Sequence, residues 1–180
     1  MRWLALLALA ACTGETGTLS VSLTAAPDSD LIARIDRLDL TLTNPFQMVS
    51  SMRTSRGLDI SLELPASSDI GALQVEGFDA SGTLIAVGAS PRFPVNGIDG
   101  RINLYVAAPN TFAAAPAVLM PARSAVAVAP LSYGAIFAGG TLEGGAPSDA
   151  VGIYNAFDHT LVTGLALPSP RAGIALATGA

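Results

Sequence analysis

Hydrophobic and polar residues alternate through most of the first half of the chain. Between residues 19 and 106 the apolar side chains recur at every second position, in short runs that end at turn residues. A period of two is typical of half-buried strands. It predicts six strands, namely Leu19–Leu23, Ile35–Leu42, Leu58–Leu64, Leu73–Phe78, Thr83–Val87 and Arg101–Val106. Short antiparallel strands separated by turns predict a β-sandwich over residues 19–107.

Turn residues separate these runs. Asp79–Gly82 predicts a turn between two strands because Asp and Gly are common in turns. The dipeptides Asn96-Gly97 and Asp99-Gly100 predict hairpins, since these residue types tolerate positive φ.

One segment breaks the alternation. Residues Pro45–Arg56 predict a loop or a short helical turn between two strands. Met48 and Met52 are four residues apart and would share one face of a helix, so they are predicted to pack in the core or in the loop.

The composition narrows the class of protein. Hydrophobic residues make up 51% of the chain and charged residues 13%, which excludes a disordered protein. The 18 Gly and 12 Pro favour strands and turns over long helices. All basic residues are Arg, they do not cluster, and the net charge is −5, so we expect no nucleic-acid partner. One Cys and one His exclude an intrachain disulfide and a four-ligand zinc site, so we expect no metal and no cofactor.

The N-terminus has the pattern of an export signal. Arg2 gives a positive start, and Leu4–Ala11 is an uninterrupted apolar run. The run is far shorter than the roughly 20 residues that span a bilayer. Its size and flanks are those of a secretory signal.

The residues Leu9-Ala10-Ala11-Cys12 resemble the lipobox of bacterial lipoproteins. The resemblance implies a signal peptide over residues 1–11, lipidation of Cys12, and a tether over residues 12–18. Acyl chains on Cys12 would make the membrane a partner of the protein. Thr13 is not the Asp that retains such proteins at the inner membrane, which favours the outer membrane, with the protein periplasmic or surface-exposed.

The second half of the chain contains an internal repeat. The segment around Arg123 is echoed around Arg171, 48 residues later, and Tyr105 and Tyr154 are 49 residues apart. A period of roughly 40–50 residues built from short apolar runs is the signature of a propeller blade.

These residues resemble the kelch-repeat (galactose-oxidase-like) β-propeller family. The resemblance assigns Gly139-Gly140 to the end of the second strand of a blade, Tyr154 to the third strand and Leu161 to the place of a usual Trp. The four strands and the link to the next blade would be Ala125–Ala129, Gly134–Ala138, Asp149–Tyr154, Leu161–Leu165 and Pro168–Arg171. Residues 108–180 would then hold about one and a half blades of a partial kelch-type β-propeller, with a half blade over Ile102–Leu119 in which Phe112 takes the place of Trp.

The prediction for the whole chain is an all-β protein, an antiparallel β-sandwich followed by that partial propeller. The sandwich resembles small immunoglobulin-like or transthyretin-like domains on pattern alone. Because a propeller closes with roughly four to eight blades, the chain would be a fragment of a longer protein. Ala172–Ala180 would be the first strand of a blade that the chain does not supply, so we expect the region after residue 108 to be the less stable one.

No catalytic constellation is evident. Asp158 and His159 are adjacent and would point to opposite faces of a strand, and His159 is predicted to be a solvated turn residue. Residues 139–145 are rich in Gly but lack the Lys of a phosphate loop, and Asp28–Asp30 lacks the rest of a calcium loop. One His is too few for the copper site of galactose oxidase.

The sequence therefore favours a non-catalytic binding or scaffold protein of the cell envelope, with a protein or a carbohydrate as an unidentified ligand. Two alternatives stay open. The chain is a truncated piece of a propeller enzyme, of oxidase or lyase type, whose active site lies elsewhere, or it is a complete small envelope lipoprotein.

Overall fold

The computed structural model describes residues 16–58, 60–65, 67–97 and 100–179. This part of the chain is all-β, apart from the four-residue helix α1 (Leu31–Arg34) and a 3-10 turn over Val95–Gly97. No described helix has the length and apolarity needed to cross a membrane.

The first half of the described chain contains nine strands. They are β1 Thr16–Thr24, β2 Arg37–Thr43, β3 Phe46–Met52, β4 Ser61–Pro65, β5 Ile70–Gly71, β6 Leu73–Phe78, β7 Leu84–Ala89, β8 Phe93–Pro94 and β9 Arg101–Tyr105. Each strand predicted from the alternation has a counterpart in this set, within a few residues at either end.

Two sheets of this half contribute to one hydrophobic core. One has the order β3-β2-β6-β7 and is antiparallel throughout, and the other has the order β4-β1-β9. The alternate apolar residues of both sheets form a single buried cluster, joined by Leu31 and Ile35 at the helix. This arrangement is compatible with the predicted sandwich.

One strand pairing differs from the expected antiparallel pattern. β9 pairs with β1 in parallel, with Val21 opposite Ile102 and Leu23 opposite Leu104. Parallel neighbours are joined by a long connection, here the whole chain between β1 and β9. Alternation within a strand reports which face is buried and carries no information about the direction of the neighbour, so the sequence pattern did not reveal this.

The prediction of a loop or helical turn over Pro45–Arg56 is wrong. Residues Phe46–Met52 form β3, which pairs along its length with β2. Its burial does alternate, but Phe46, Met48 and Met52 lie on the exposed side. In β3 the large apolar side chains face outward instead of inward, so the alternation did not indicate a strand. The two methionines lie on the same face because residues four apart also share a face in a strand.

The prediction of a hairpin at Asn96-Gly97 is also wrong. These residues end the 3-10 turn, and the strand before them, β8, pairs with β5 rather than with β9. Asp99 lies outside the described residues. The predicted turn at Asp79–Gly82 is confirmed, since the Asp79 carbonyl accepts from Gly82 N–H at 2.9 Å between β6 and β7.

The second half of the described chain contains six strands. They are β10 Arg123–Ser124, β11 Ala127–Leu131, β12 Gly134–Ala138, β13 Thr141–Leu142, β14 Ser148–Asn155 and β15 Thr160–Arg171. Four of them form an antiparallel sheet in the order β11-β12-β14-β15, and β10 pairs with β13. We call the four-stranded unit the C-terminal sheet.

Four details of the predicted repeat are wrong. Residues Pro168–Arg171 continue β15 instead of linking two blades, and residues 172–179 form no strand. The proposed half blade over Ile102–Leu119 does not exist, because Ile102 belongs to β9 and residues 108–122 contain no strand. Phe112, assigned to a packing position, is fully exposed. The period in the sequence indicated a strand near Ile102 but not the sheet to which it belongs, and β9 pairs with β1 instead of joining a blade.

Candidate functional site

His159 is buried, which corrects the prediction of a solvated turn residue. It lies in the turn between β14 and β15, as predicted, but only 9% of its surface is exposed. Its φ of +59° lies in the left-handed region that few residues other than Gly adopt. Because the imidazole is buried, its two ring nitrogens need hydrogen-bond partners within the protein.

Both ring nitrogens of His159 have protein partners. Nε2 lies 2.9 Å from the carbonyl oxygen of Asn103, and Nδ1 lies 2.7 Å from the hydroxyl of Tyr154. Because a carbonyl oxygen only accepts, Nε2 carries the proton, and in the neutral ring Nδ1 accepts from the tyrosine hydroxyl. The hydrogen-bond network thus assigns the tautomer.

Two tyrosines pack against this imidazole. The ring centroids of Tyr105 and Tyr154 lie 5.9 and 6.0 Å from that of His159. Burial raises the pKa of Tyr154, and the negative charges of ionised Tyr105 and of Asp158 raise it further. Burial also raises the pKa of Tyr105. Both shifts favour the protonated phenol over the phenolate.

We call Asn103, Tyr105, Tyr154 and His159 the junction cluster, because they join β9 to the C-terminal sheet. Asn103 also donates its backbone N–H to the carbonyl of Phe157 at 3.2 Å. The turn between β14 and β15 therefore satisfies both backbone groups of Asn103.

Phe157 anchors the same turn in the first core. Its ring meets Phe93 edge to face at 6.2 Å between centroids, and it packs against the buried cluster of the two N-terminal sheets. Through the hydrogen bonds of His159 and the ring contact of Phe157, the turn between β14 and β15 links the C-terminal sheet to the N-terminal sheets.

Gly139 and Gly140 allow close approach at the end of β12. Both have positive φ, +62° and +103°. A Cβ on Gly139 would lie 2.5 Å from the Arg171 carbonyl, and one on Gly140 would lie 2.6 Å from the Ser124 carbonyl. The Gly140 N–H also donates to the Arg171 carbonyl at 2.9 Å. The two segments of the arginine repeat thus converge on the glycine pair.

The two repeat arginines have different surroundings. The Arg123 guanidinium reaches the carbonyl of Pro121 at 3.3 Å, beside the short β10–β13 sheet. Arg171 is exposed at the end of β15, and its Nε lies 3.4 Å from the Ser169 hydroxyl. Although Arg123 and Arg171 occupy equivalent positions in the sequence repeat, their side chains have different environments.

Leu161 lies directly opposite Tyr154 in the pairing of β14 with β15. A Cβ on the buried Gly152 would lie 3.4 Å from a Leu161 methyl and 3.5 Å from a Leu119 methyl. Leu161 therefore covers the middle of the C-terminal sheet on the face that carries Tyr154.

Cys12, the predicted lipidation site, lies outside the described residues. Within the described ranges, no group of three or more His, Cys, Asp or Glu is placed to hold a metal ion. No family model matches the chain, and a search of curated proteins finds no significant match either.

Sequence reasoning missed the junction cluster as a unit. The spacing of Tyr105 and Tyr154 and the single His drew attention to three of its members. Asn103 takes part through backbone atoms, which leave no signal in the side-chain pattern.

Proposed function

We propose that this chain is an exported, lipid-anchored protein of the cell envelope with a non-catalytic binding or scaffold role. The anchor would be on Cys12, in the outer membrane rather than the inner one. Export and lipid anchoring are supported by the apolar run Leu4–Ala11, which is followed at once by the only Cys of the chain. A thiol after small side chains is the acceptor that lipoprotein processing requires.

The anchor is tested by replacing its acceptor atom. In the unaltered protein, mass spectrometry of membrane fractions should find an acylated N-terminal Cys12. Cys12→Ala should move the protein from the membrane fraction to the soluble fraction, while Thr13→Ala should leave it membrane-bound. Membrane retention of Cys12→Ala would contradict the proposal.

The binding role is supported by the C-terminal sheet, which is apolar on both faces. One face carries Val128, Phe137 and Leu161. The other carries apolar rows that cross all four strands, from Ala129 and Ile136 to Ile153 and Val162, and from Ala127 and Ala138 to Val151 and Leu165. A sheet that is apolar on both faces suits a stacked element such as a propeller blade, which buries its faces against neighbours.

The kelch-type interpretation of this sheet is part of the proposal. Its second strand has the bounds expected from the resemblance, and its third and fourth begin within one residue of expectation. The positive φ of Gly139 and Gly140 at the end of the second strand is consistent with the role that the resemblance gives them.

Contact with a ligand is expected at the exposed ends of the apolar rows. Val162 is 52% exposed and Leu165 45%. A photo-crosslinking residue at position 162 should give a discrete adduct in cell envelopes, and the same residue at the exposed, charged position Glu143, which lies outside the C-terminal sheet, should not. Equal labelling at both positions, or none at either, would count against a ligand on this face.

A further inference from the structure

β3 is an edge strand with an exposed apolar side. Among the strands that the structure describes, it pairs only with β2. Three of its side chains are exposed, Phe46 by 76%, Met48 by 52% and Met52 by 57%. An edge strand also presents unpaired backbone N–H and C=O groups, which are a template for another strand.

The strand lacks the devices that block such pairing. Residues Phe46–Met52 contain no charged residue and no Pro. The next charged residue along the chain, Arg53, is folded back and donates to the carbonyls of Ile32 and Ile35. Its charge is thereby directed toward the helix and away from the free edge.

The other long edge strands of the described chain are covered or interrupted. β7 exchanges two backbone hydrogen bonds with Ala107, at 2.9 and 3.0 Å, and β9 is covered by the turn of the junction cluster. β11 contains Pro130, β15 contains two prolines, and β4 carries Glu63 and ends at Pro65. Prolines and charges of this kind prevent edge-to-edge association.

The sequence of β3 is compatible with itself in an antiparallel pair. In a two-fold arrangement centred on Val49, Phe46 lies opposite Met52 of the second copy, and Met48 lies opposite Ser50. Apolar residues then meet at both ends and no like charges oppose each other. The absence of charge on this strand matters because each copy carries a net charge of −5.

We propose that two copies of this chain pair through β3, antiparallel and centred on Val49, so that two four-stranded sheets become one eight-stranded sheet. The stripe formed by Phe46, Met48 and Met52 would then run across the two-fold axis. Main-chain hydrogen bonds supply the attraction, and the apolar stripe supplies buried area.

Cysteine crosslinking tests the pairing and its register. The full chain with Cys12→Ser contains no other thiol, so a single introduced Cys reports one position. Val49→Cys should form a disulfide-linked dimer, because position 49 meets itself. Gln47→Cys and Ser51→Cys should not dimerise alone but should crosslink when mixed. Crosslinking of all three single variants alike would indicate aggregation and overturn the proposal.

Charge substitution tests the same register without a covalent bond. Met48→Glu in the Cys12→Ser chain should weaken dimerisation in analytical ultracentrifugation by about ten-fold or more, because the carboxylate loses water without gaining a partner. Adding Ser50→Lys should restore it, since positions 48 and 50 oppose each other across the axis. Val118→Glu, at an apolar position that is 70% exposed and lies outside the strands, is the matched control and should have no effect.

Three results would overturn this proposal. One is a Cys12→Ser chain that stays monomeric up to about 100 μM, well above the micromolar range of weak specific pairs. Another is a dimer that Met48→Glu leaves unchanged, which would place the interface elsewhere. The third is a monomer in which the β3 amides are protected from exchange, which would mean that residues 1–15 or another segment of the same chain cover the edge.

Discussion

At the scale of single residues, the absence of a side chain and the backbone conformation determine how closely one segment can approach another. Gly140 lies where β12 ends, with φ of +103° and the Ser124 carbonyl 2.6 Å from the place of a Cβ. Gly144 has a similar φ of +96° but nothing within 4 Å of that place. Comparing substitutions at Gly140 and Gly144 therefore distinguishes the free-energy cost of backbone strain from the cost of a steric clash.

Gly140→Ala should therefore destabilise the protein more than Gly144→Ala. Strain at such a φ costs about 1–2 kcal/mol for a residue with a Cβ, and displacement of the Ser124 carbonyl adds about 1–3 kcal/mol in Gly140→Ala only. Urea denaturation followed by circular dichroism measures both free energies of unfolding. Equal losses in the two variants would mean that the approach of the β10 segment to Gly140 does not matter for stability.

At the scale of elements, short connections determine how the sheets meet. The turn between β14 and β15 reaches the edge of β9 and places His159 between Tyr105 and Tyr154. In the same way, β3 became a strand because β2 provides a partner along its whole length. In both cases an element takes its role from the strand that it meets, which is distant in sequence for the turn and adjacent in sequence for β3.

Removing the Tyr154 hydroxyl tests the junction cluster. Tyr154→Phe should cost about 1 kcal/mol, because His159 Nδ1 loses its donor in a partly buried site. The raised pKa of Tyr154 means that the folded state holds the phenolic proton more tightly than the unfolded state. That contribution is fully present below the ordinary tyrosine pKa of about 10 and is lost as the pH rises through the folded value.

The measurement is the unfolding free energy of both proteins between pH 7 and about pH 11, near and above the ordinary tyrosine pKa. The unaltered protein should lose more stability at the alkaline end than Tyr154→Phe. Tyr133→Phe is the control, because its side chain is 40% exposed and lies outside the cluster. Parallel curves for all three proteins would show that the hydroxyl of Tyr154 makes no special contribution.

At the scale of the whole molecule, the largest buried side chains of the described residues all lie before residue 107, while the C-terminal sheet buries mainly alanines. This distribution agrees in direction with the expectation that the region after residue 108 is the less stable one, which remains a prediction. The contacts of Phe157 and His159 oppose it, because they tie the C-terminal sheet to the first core.

Hydrophobic alternation alone predicted the all-β class and the positions of most strands, because it fixes which residues of a strand face a core. The sequence located β6, β12 and the turn after β6 to within a residue. It also singled out Gly139 and Gly140, whose conformations few other residues adopt.

The identity of neighbouring strands became known from the folded structure, not from the sequence pattern. The parallel pairing of β1 with β9, the edge position of β3 and the burial of His159 all depend on contacts between residues far apart in the chain. Local pattern records the preference of a residue for water or for a core. It does not record which distant backbone group will meet that residue, and the carbonyl of Asn103, which holds His159, is such a group.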